Sequence, residues 1–198
     1  LKSNDQYRVQ TEAKLNEMNR TVAWALHERV KVLGELKRYE EAIADCTVAI
    51  NTMPTTANEE DMLIASLLWT DMGTMRYNAG RVKESIPDYD NAIVLDPQNV
   101  YAWASRGCIK LEVGRVNDAL EDLTTAIRID GRRKVINPIE KVLLWVKMGD
   151  AYLLISQYAE AISAYDNAIE LDPKNETAWN SRGFAKEELG RYDDAMRD

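Results

Sequence analysis

Histidine, cysteine and phenylalanine are nearly missing from this sequence, with one, two and one residues among 198. An enzyme site needs a nucleophile, base or metal cluster in mutual reach, and His27, Cys46 and Cys108 lie far apart with no CxxC partner. Zinc, redox and nucleophilic centres are therefore not expected, nor is any cofactor. His27 reads as an ordinary helix residue, of interest only beside a carboxylate in a cleft. Two unlinked cysteines do not staple a small secreted scaffold, so the chain is expected to be intracellular and cytoplasmic with reduced thiols. An opening at Leu1 without Met leaves room for a removed targeting segment. No apolar run approaches the ~20 residues of a membrane-spanning helix. Clustered basic residues are scarce too: only Arg132-Arg133-Lys134 forms a run, read as a solvated loop. At a net charge of −8, neither nucleic acid nor an anionic membrane suits as the main partner.

What is abundant is core-forming material, with 45% hydrophobic residues, five Trp and nine Tyr, which is unlike a disordered segment. Residues 142 to 175, VLLWVKMGDAYLLISQYAEAISAYDNAIELDPKN, describe two short helices. Trp145, Met148, Gly149 and Tyr152 share one helical face, and Ala161, Tyr165 and Ala168 share another. Gly149 and Ala161 suit helices crossing at ~8–10 Å, with Trp145 and Tyr165 beside them. Leu171-Asp172-Pro173 stops the second helix. This stretch resembles the tetratricopeptide repeat (TPR), a unit of about 34 residues patterned W-x2-L-G-x2-Y, A-x3-F and P. Met148 takes the Leu place and Tyr165 the Phe place. The resemblance implies an all-α, right-handed superhelical solenoid of antiparallel helix pairs.

In chain order, residues 1–20 read as an N-terminal helix, a candidate second helix of a truncated upstream repeat. Repeat one covers 21–56, through Trp24, Ala42, Cys46, Ala49 and Pro54. Residues 57–65 form an insertion whose Asn58-Glu59-Glu60-Asp61 caps an early helix start. Repeat two covers 66–99 and repeat three 100–133, where Gly131 stands in the place of proline. A second insertion, 134–141, carries Asn137-Pro138, a cap with proline at the first helical position. Repeat four is 142–175 and repeat five, partial, is 176–198. Pro87 is expected in the first turn of its helix. LLW-x2-MG recurs at 67–73 and 143–149, an offset of 76, and YDNAI and SRG repeat at the same offset. The larger unit is a duplicated pair of repeats. Gly114-Arg115 and Gly190-Arg191 read as turns, and the many Asp and Glu as lying mainly where second helices face solvent.

The resemblance places a peptide-binding wall at the second, fifth, ninth and twelfth residues of each repeat. These are Leu67, Thr70, Thr74 and Tyr77 in repeat two, and Tyr101, Ala104, Cys108 and Leu111 in repeat three. Repeat four contributes Leu143, Val146, Asp150 and Leu153, and repeat five Thr177, Asn180, Phe184 and Glu187. A competing reading packs Leu67 and Leu143 against the inserted segments. The Lys/Asn/Arg clamp of chaperone-tail adaptors is absent, since Thr70, Thr74, Ser105, Leu143 and Lys147 occupy its places. An asparagine ladder of the kind in the O-linked N-acetylglucosamine transferase superhelix is absent as well, because Asp71, Ser105, Lys147 and Ser181 hold those positions. The function implied is a non-catalytic scaffold that binds a polypeptide with apolar anchors. Alternatives are an architectural segment of a larger protein or a docking arm of an enzyme encoded elsewhere. Self-association through residues 176–198 is also expected.

Overall fold

In a computed structural model, which describes residues 2–54 and 58–198, the described residues form helices and no strand. In order they are α1 (Lys2–Glu35), α2 (Tyr39–Thr52), α3 (Glu59–Asn78), α4 (Val82–Leu95) and α5 (Val100–Glu112), then α6 (Val116–Arg133), α7 (Pro138–Leu154), α8 (Tyr158–Leu171), α9 (Glu176–Glu188) and α10 (Tyr192–Ala195). The end of repeat one at Thr56 and the start of the first insertion at Ala57 lie outside the described residues, as does Leu1.

The two helices of every pair are joined by three residues, and the middle one is left-handed: Lys37, Gly80, Gly114, Ser156 and Gly190, at φ 57° to 80°. The next backbone N–H then donates back to the first helix, from Arg38 to Leu33 O, Arg81 to Arg76 O, Arg115 to Lys110 O, Gln157 to Tyr152 O and Arg191 to Lys186 O, at 2.8–2.9 Å. This closure uses carbonyls that the helix end leaves without donors. So short a link forces antiparallel neighbours. Between pairs, Pro97 and Pro173 follow the ends of α4 and α8. α6 lacks that proline and runs on through Gly131 to Arg133, stopping at left-handed Lys134. The run Arg132-Arg133-Lys134 is thus solvated but closes a helix rather than forming a loop.

The contacts divide the chain into two compact units, one through Ala102 and one from Trp103 to Asp198, with the division inside α5. In the first unit the expected boundary at residues 20 and 21 does not exist, because α1 crosses it without a break. No glycine or proline stands there to stop a helix, so residues 2–20 are continuous with the first helix of repeat one. Asn58 and Asp61 form a reciprocal capping box at the start of α3. The buried Asp61 carboxylate also takes Arg20 Nε at 2.5 Å and Nη2 at 3.2 Å, a hydrogen-bonded pair that holds its pKa below the ordinary value. Pro87 sits at the sixth residue of α4, past the first turn where it was expected. It leaves the Lys83 carbonyl without its helical donor at an exposed residue, where water can serve. Ala23, Val30, Leu33, Ala42, Cys46, Leu68 and Met72 are core, and a Cβ on Gly73 would meet the Tyr89 ring at 2.9 Å.

The second unit repeats the arrangement. A Cβ on Gly149 would meet the Tyr165 ring at 2.5 Å, and one on Gly107 would meet Leu123 at 2.9 Å. Asn137 caps α7 by accepting from Glu140 N at 2.9 Å, with Pro138 at its first position. The second insertion therefore resolves into a short link, 134–137, and the first turn of α7. With both early starts, α3 and α7 have 20 and 17 residues against 13 in α5 and 13 in α9.

The acids read as mainly solvent-facing have exceptions at one recurring place. Asp88, Asp122 and Asp198, three residues after Ser85, Ala119 and Ala195, have buried side chains paired with cations from the preceding first helix. Asp88 takes Arg76. Asp122 takes Arg106 in bidentate fashion at 2.7 and 2.8 Å and Lys110 at 2.7 Å. Asp198 repeats this with Arg182 at 2.6 and 2.7 Å and Lys186 at 2.6 Å. Arg106 and Arg182 also lie over the Trp103 and Trp179 rings, at 4.8 and 4.3 Å. Asp130, likewise buried, takes Lys141 Nζ at 2.7 Å and Ile136 N at 2.8 Å, tying α6 to α7.

Candidate functional site

The early start of α7 positions the most prominent feature of the second unit. Asn137-Pro138 begins the helix one turn before Leu143, so Ile139, Val142, Leu143 and Val146 fall at spacings of three and four on one face. The end of α8 supplies Leu171 and Asp172, and the entry to α9 supplies Asn175 and Thr177. Together these residues line an open cavity of about 610 Å³. Val142 and Val146 are buried and form its floor, whereas Ile139 and Leu143 keep 83% and 54% of their surface exposed. The polar rim is occupied by its own caps. Asn175 Oδ1 accepts from Ala178 N at 2.9 Å, and Asp172 Oδ1 accepts from Lys174 N at 3.1 Å. What the cavity presents is therefore mainly apolar, the chemistry of a site that takes a side chain out of water.

Of the expected wall residues, Leu143, Val146 and Thr177 come together here. Asn180, Phe184 and Glu187 line a smaller cavity of about 430 Å³ with Trp179, Tyr192 and Met196. Asp150 accepts from the buried Tyr165 hydroxyl at 2.9 Å, and Lys147 Nζ lies 3.5 Å from its other oxygen. Burial first, then the Asp150 charge, raise the Tyr165 pKa. Leu153 packs against the core cluster of Val142, Ala161 and Tyr165 rather than standing free on a wall. Ala104, Cys108 and Leu111 are half-buried on α5, and burial pushes the Cys108 thiol up to about 11.

In the first unit Thr70 is buried, contrary to the wall reading. Its hydroxyl donates to Ser66 O at 2.8 Å and accepts from Asn99 Nδ2 at 2.9 Å. Thr74 meets the Tyr89 hydroxyl at 3.1 Å. Leu67 is half-buried, and Tyr77 and Tyr101 are partly exposed. His27 does find a carboxylate: its Nδ1 lies 2.7 Å from Asp71 Oδ2, a close contact without hydrogen-bond alignment, in the interior between α1 and α3. Burial pushes the Cys46 thiol well above its ordinary value, which disfavours the reactive thiolate. Among the described residues no three metal-ligating side chains cluster, and no helix is long and apolar enough to cross a membrane.

Ile139, Val142, Leu171 and Asn175 were missed from sequence. Counting wall positions from residue 142 stopped one turn short of Ile139, although the Asn137-Pro138 cap already marked the helix as beginning there.

Residues 149–190 match the family model for the TPR repeat. Over this stretch the chain carries tetratricopeptide repeat sequence. The human small glutamine-rich tetratricopeptide repeat-containing protein beta is 40% identical over 50 residues, which are 25% of this chain and 16% of that protein. Among solved structures, MamA 41-end from Desulfovibrio magneticus RS-1 is similar with a TM-score of 0.71 at 18% identity, covering 89% of this chain and 90% of that one. A tetratricopeptide repeat protein from Parabacteroides merdae ATCC 43184 also gives 0.71, at 19% identity, over 89% of this chain and 64% of its own. At such identities the likeness is one of fold, the TPR-type helical solenoid.

Proposed function

We propose that this TPR chain is a protein-binding module and that a polypeptide ligand docks on the second unit by setting an apolar side chain into the α7–α9 cavity. The observation that carries this is the pairing of a buried valine floor with exposed Ile139 and Leu143 around about 610 Å³ of open space. Exposed aliphatic side chains gathered around a concavity gain more from a ligand than scattered ones do. Asp172 at the rim and the net charge of −8 favour a Lys or Arg beside the anchor. Acidic tails are disfavoured for the same reason.

A panel of short fluorescent peptides, each with one Leu, Phe or Trp flanked by Lys or by Glu, tests this by polarisation. The Lys-flanked members should bind, and Ile139→Asp and Leu143→Asp should each weaken binding about tenfold or more, as for a central anchor contact. Both side chains are exposed, so helicity and melting should change little. Phe184→Asp, in the other cavity, should leave binding unchanged. Equal binding by parent, Ile139→Asp and Leu143→Asp would overturn the assignment.

A further inference from the structure

α1 carries a second surface, independent of the α7–α9 cavity. The side chains of residues 5–15 are all exposed, so α1 runs for several turns without burial in its own unit. A bare helical stretch of that length is marginal in water. Yet its outward face is not polar. Leu15, Met18, Val22 and Ala25 follow one another at spacings of three and four, and all are exposed, the first three at 49%, 57% and 41%. That is the a/d spacing of a two-stranded coiled-coil seam, over four positions. It is distinct from the face of Ala23, His27 and Val30, which is buried inside the first unit.

We propose that this seam closes on α1 of a second copy of the chain, antiparallel. In that register Leu15 lies opposite Ala25 and Met18 opposite Val22, so a large side chain meets a smaller one at every layer. Lys14 then falls beside Glu28 of the other copy, once on each side of the two-fold axis, adding a second cation to Lys31, from which Glu28 already accepts at 2.8 Å within its own chain. A parallel pairing would set Leu15 on Leu15 and Ala25 on Ala25, leaving a gap at the Ala25 layer. Arg29, the next seam position, stays with Asp45 of its own unit at 3.2 Å, which ends the apolar part there. From Leu15 to Ala25 the seam is only about 15 Å long at ~1.5 Å per residue. It covers less than the ~800 Å² per partner of a standard interface, so the dimer is reversible and concentration-dependent.

Sedimentation equilibrium of the full chain over a concentration series tests this. The parent should show monomer and dimer, and Met18→Glu with Val22→Glu should leave monomer with unchanged circular dichroism. Lys14→Glu should raise the dimer Kd about fivefold, from losing two exposed ion pairs, and adding Glu28→Lys should restore it. If the double glutamate variant loses helicity, the Lys14 and Glu28 exchange alone decides. A parent that stays monomeric throughout overturns the inference. So does a dimer untouched by the α1 variants and dissolved by Phe184→Glu with Met196→Glu, which would place association at the C-terminal face. Lys14→Glu without effect overturns the antiparallel register.

Discussion

Residues 66–102 and 142–178 are one stretch used twice, 76 residues apart, and they treat the same corner of a helix pair in opposite ways. In the first unit the Ser66 hydroxyl donates to Ala92 O at 2.8 Å, and the Asn99 amide donates to Ser66 Oγ and Thr70 Oγ1 at 2.9 Å each. Asn99 Oδ1 accepts from Ala102 N at 3.1 Å, and the corner is closed by a satisfied polar network. In the second unit Val142 and Val146 stand in the places of Ser66 and Thr70. Asn175 keeps the cap to Ala178 N but finds only Asp172 for its amide, at 3.5 Å. Trading two hydroxyls for methyl groups removes the partners of the asparagine and leaves an apolar floor. The difference between a sealed corner and a candidate binding cavity thus rests on a few atoms, on a backbone that is otherwise shared.

The sharpest way to break this equivalence is at Asp88, whose counterpart in the second unit is Ala164, just as the counterpart of Arg76 is Tyr152. Asp88→Ala leaves Arg76 without its carboxylate in a site only partly open to solvent, and should destabilise by about 3 kcal/mol in urea unfolding. Adding Arg76→Tyr installs the second unit's pair and should recover most of that loss. The pH dependence gives the sign independently. Burial, outweighing Arg76, raises the Asp88 pKa above 3.8. A raised folded value means that this group's contribution is fully present below the unfolded pKa and is lost as pH rises through the folded one. The parent should therefore gain on the double variant as pH falls toward 3.8. Asp61, Asp130 and Asp198, whose folded values are lowered, lose stability on acidification in both proteins and cancel in the difference.

A smaller effect ranks the two glycine contacts. An alanine gains about 1 kcal/mol of helix propensity over glycine, but its Cβ must fit. The ring stands at 2.5 Å for Gly149 and 2.9 Å for Gly73. Overpacking of this kind costs about 1–3 kcal/mol, so Gly149→Ala should lose about 2 kcal/mol net and Gly73→Ala about 1 kcal/mol. Equal losses at the two sites would show that the tyrosine contacts are equally tight in solution. Smaller again is Val146→Thr, which moves the cavity floor toward the first unit's chemistry. It should cost about 1 kcal/mol of stability for an imperfectly paired hydroxyl, and should weaken an apolar peptide measurably while leaving α7 helical by circular dichroism.

The fold was legible because its rules are local. Small residues at Gly73, Gly107 and Gly149 face bulky partners one helix later, Pro97 and Pro173 stop helices, and Asn58 and Asn137 start them; all of these are spacings within a few turns. The continuity of α1 was not legible, since period and composition alike permit a helix on both sides of residue 20 and only the lack of a stop signal joins them. The buried aspartates were missed because an acid on a second helix reads as solvated until its cation, twelve or sixteen residues earlier, is seen to reach it. The site was half legible. Leu143, Val146 and Thr177 follow from repeat positions, but Thr70 occupies the same repeat position as Val146 and is sealed by Asn99, the last residue of its own repeat, which counting wall positions along the first helix ignores.

The finest distinction lies in the turns. Gly80 and Ser156 are equivalent at the 76-residue offset, and both are left-handed, at φ 80° and 59°. For an L-residue that conformation costs about 1–2 kcal/mol, which glycine avoids. Glycine also has more freedom to lose on folding, by roughly 0.5–1 kcal/mol, so most of the gain is offset. Ser156 is exposed and no side-chain hydrogen bond is seen from it, so nothing else is forfeited on replacement. Ser156→Gly should therefore stabilise the second unit by about 0.5 kcal/mol, and Gly80→Ser should destabilise the first by a similar amount. Hydrogen exchange at the amides of Ser156 and Gln157, which donate to Leu153 O and Tyr152 O at 2.9 Å, should slow in Ser156→Gly. Unchanged exchange there, with altered global stability, would mean that the effect acts through the unfolded chain instead of the turn.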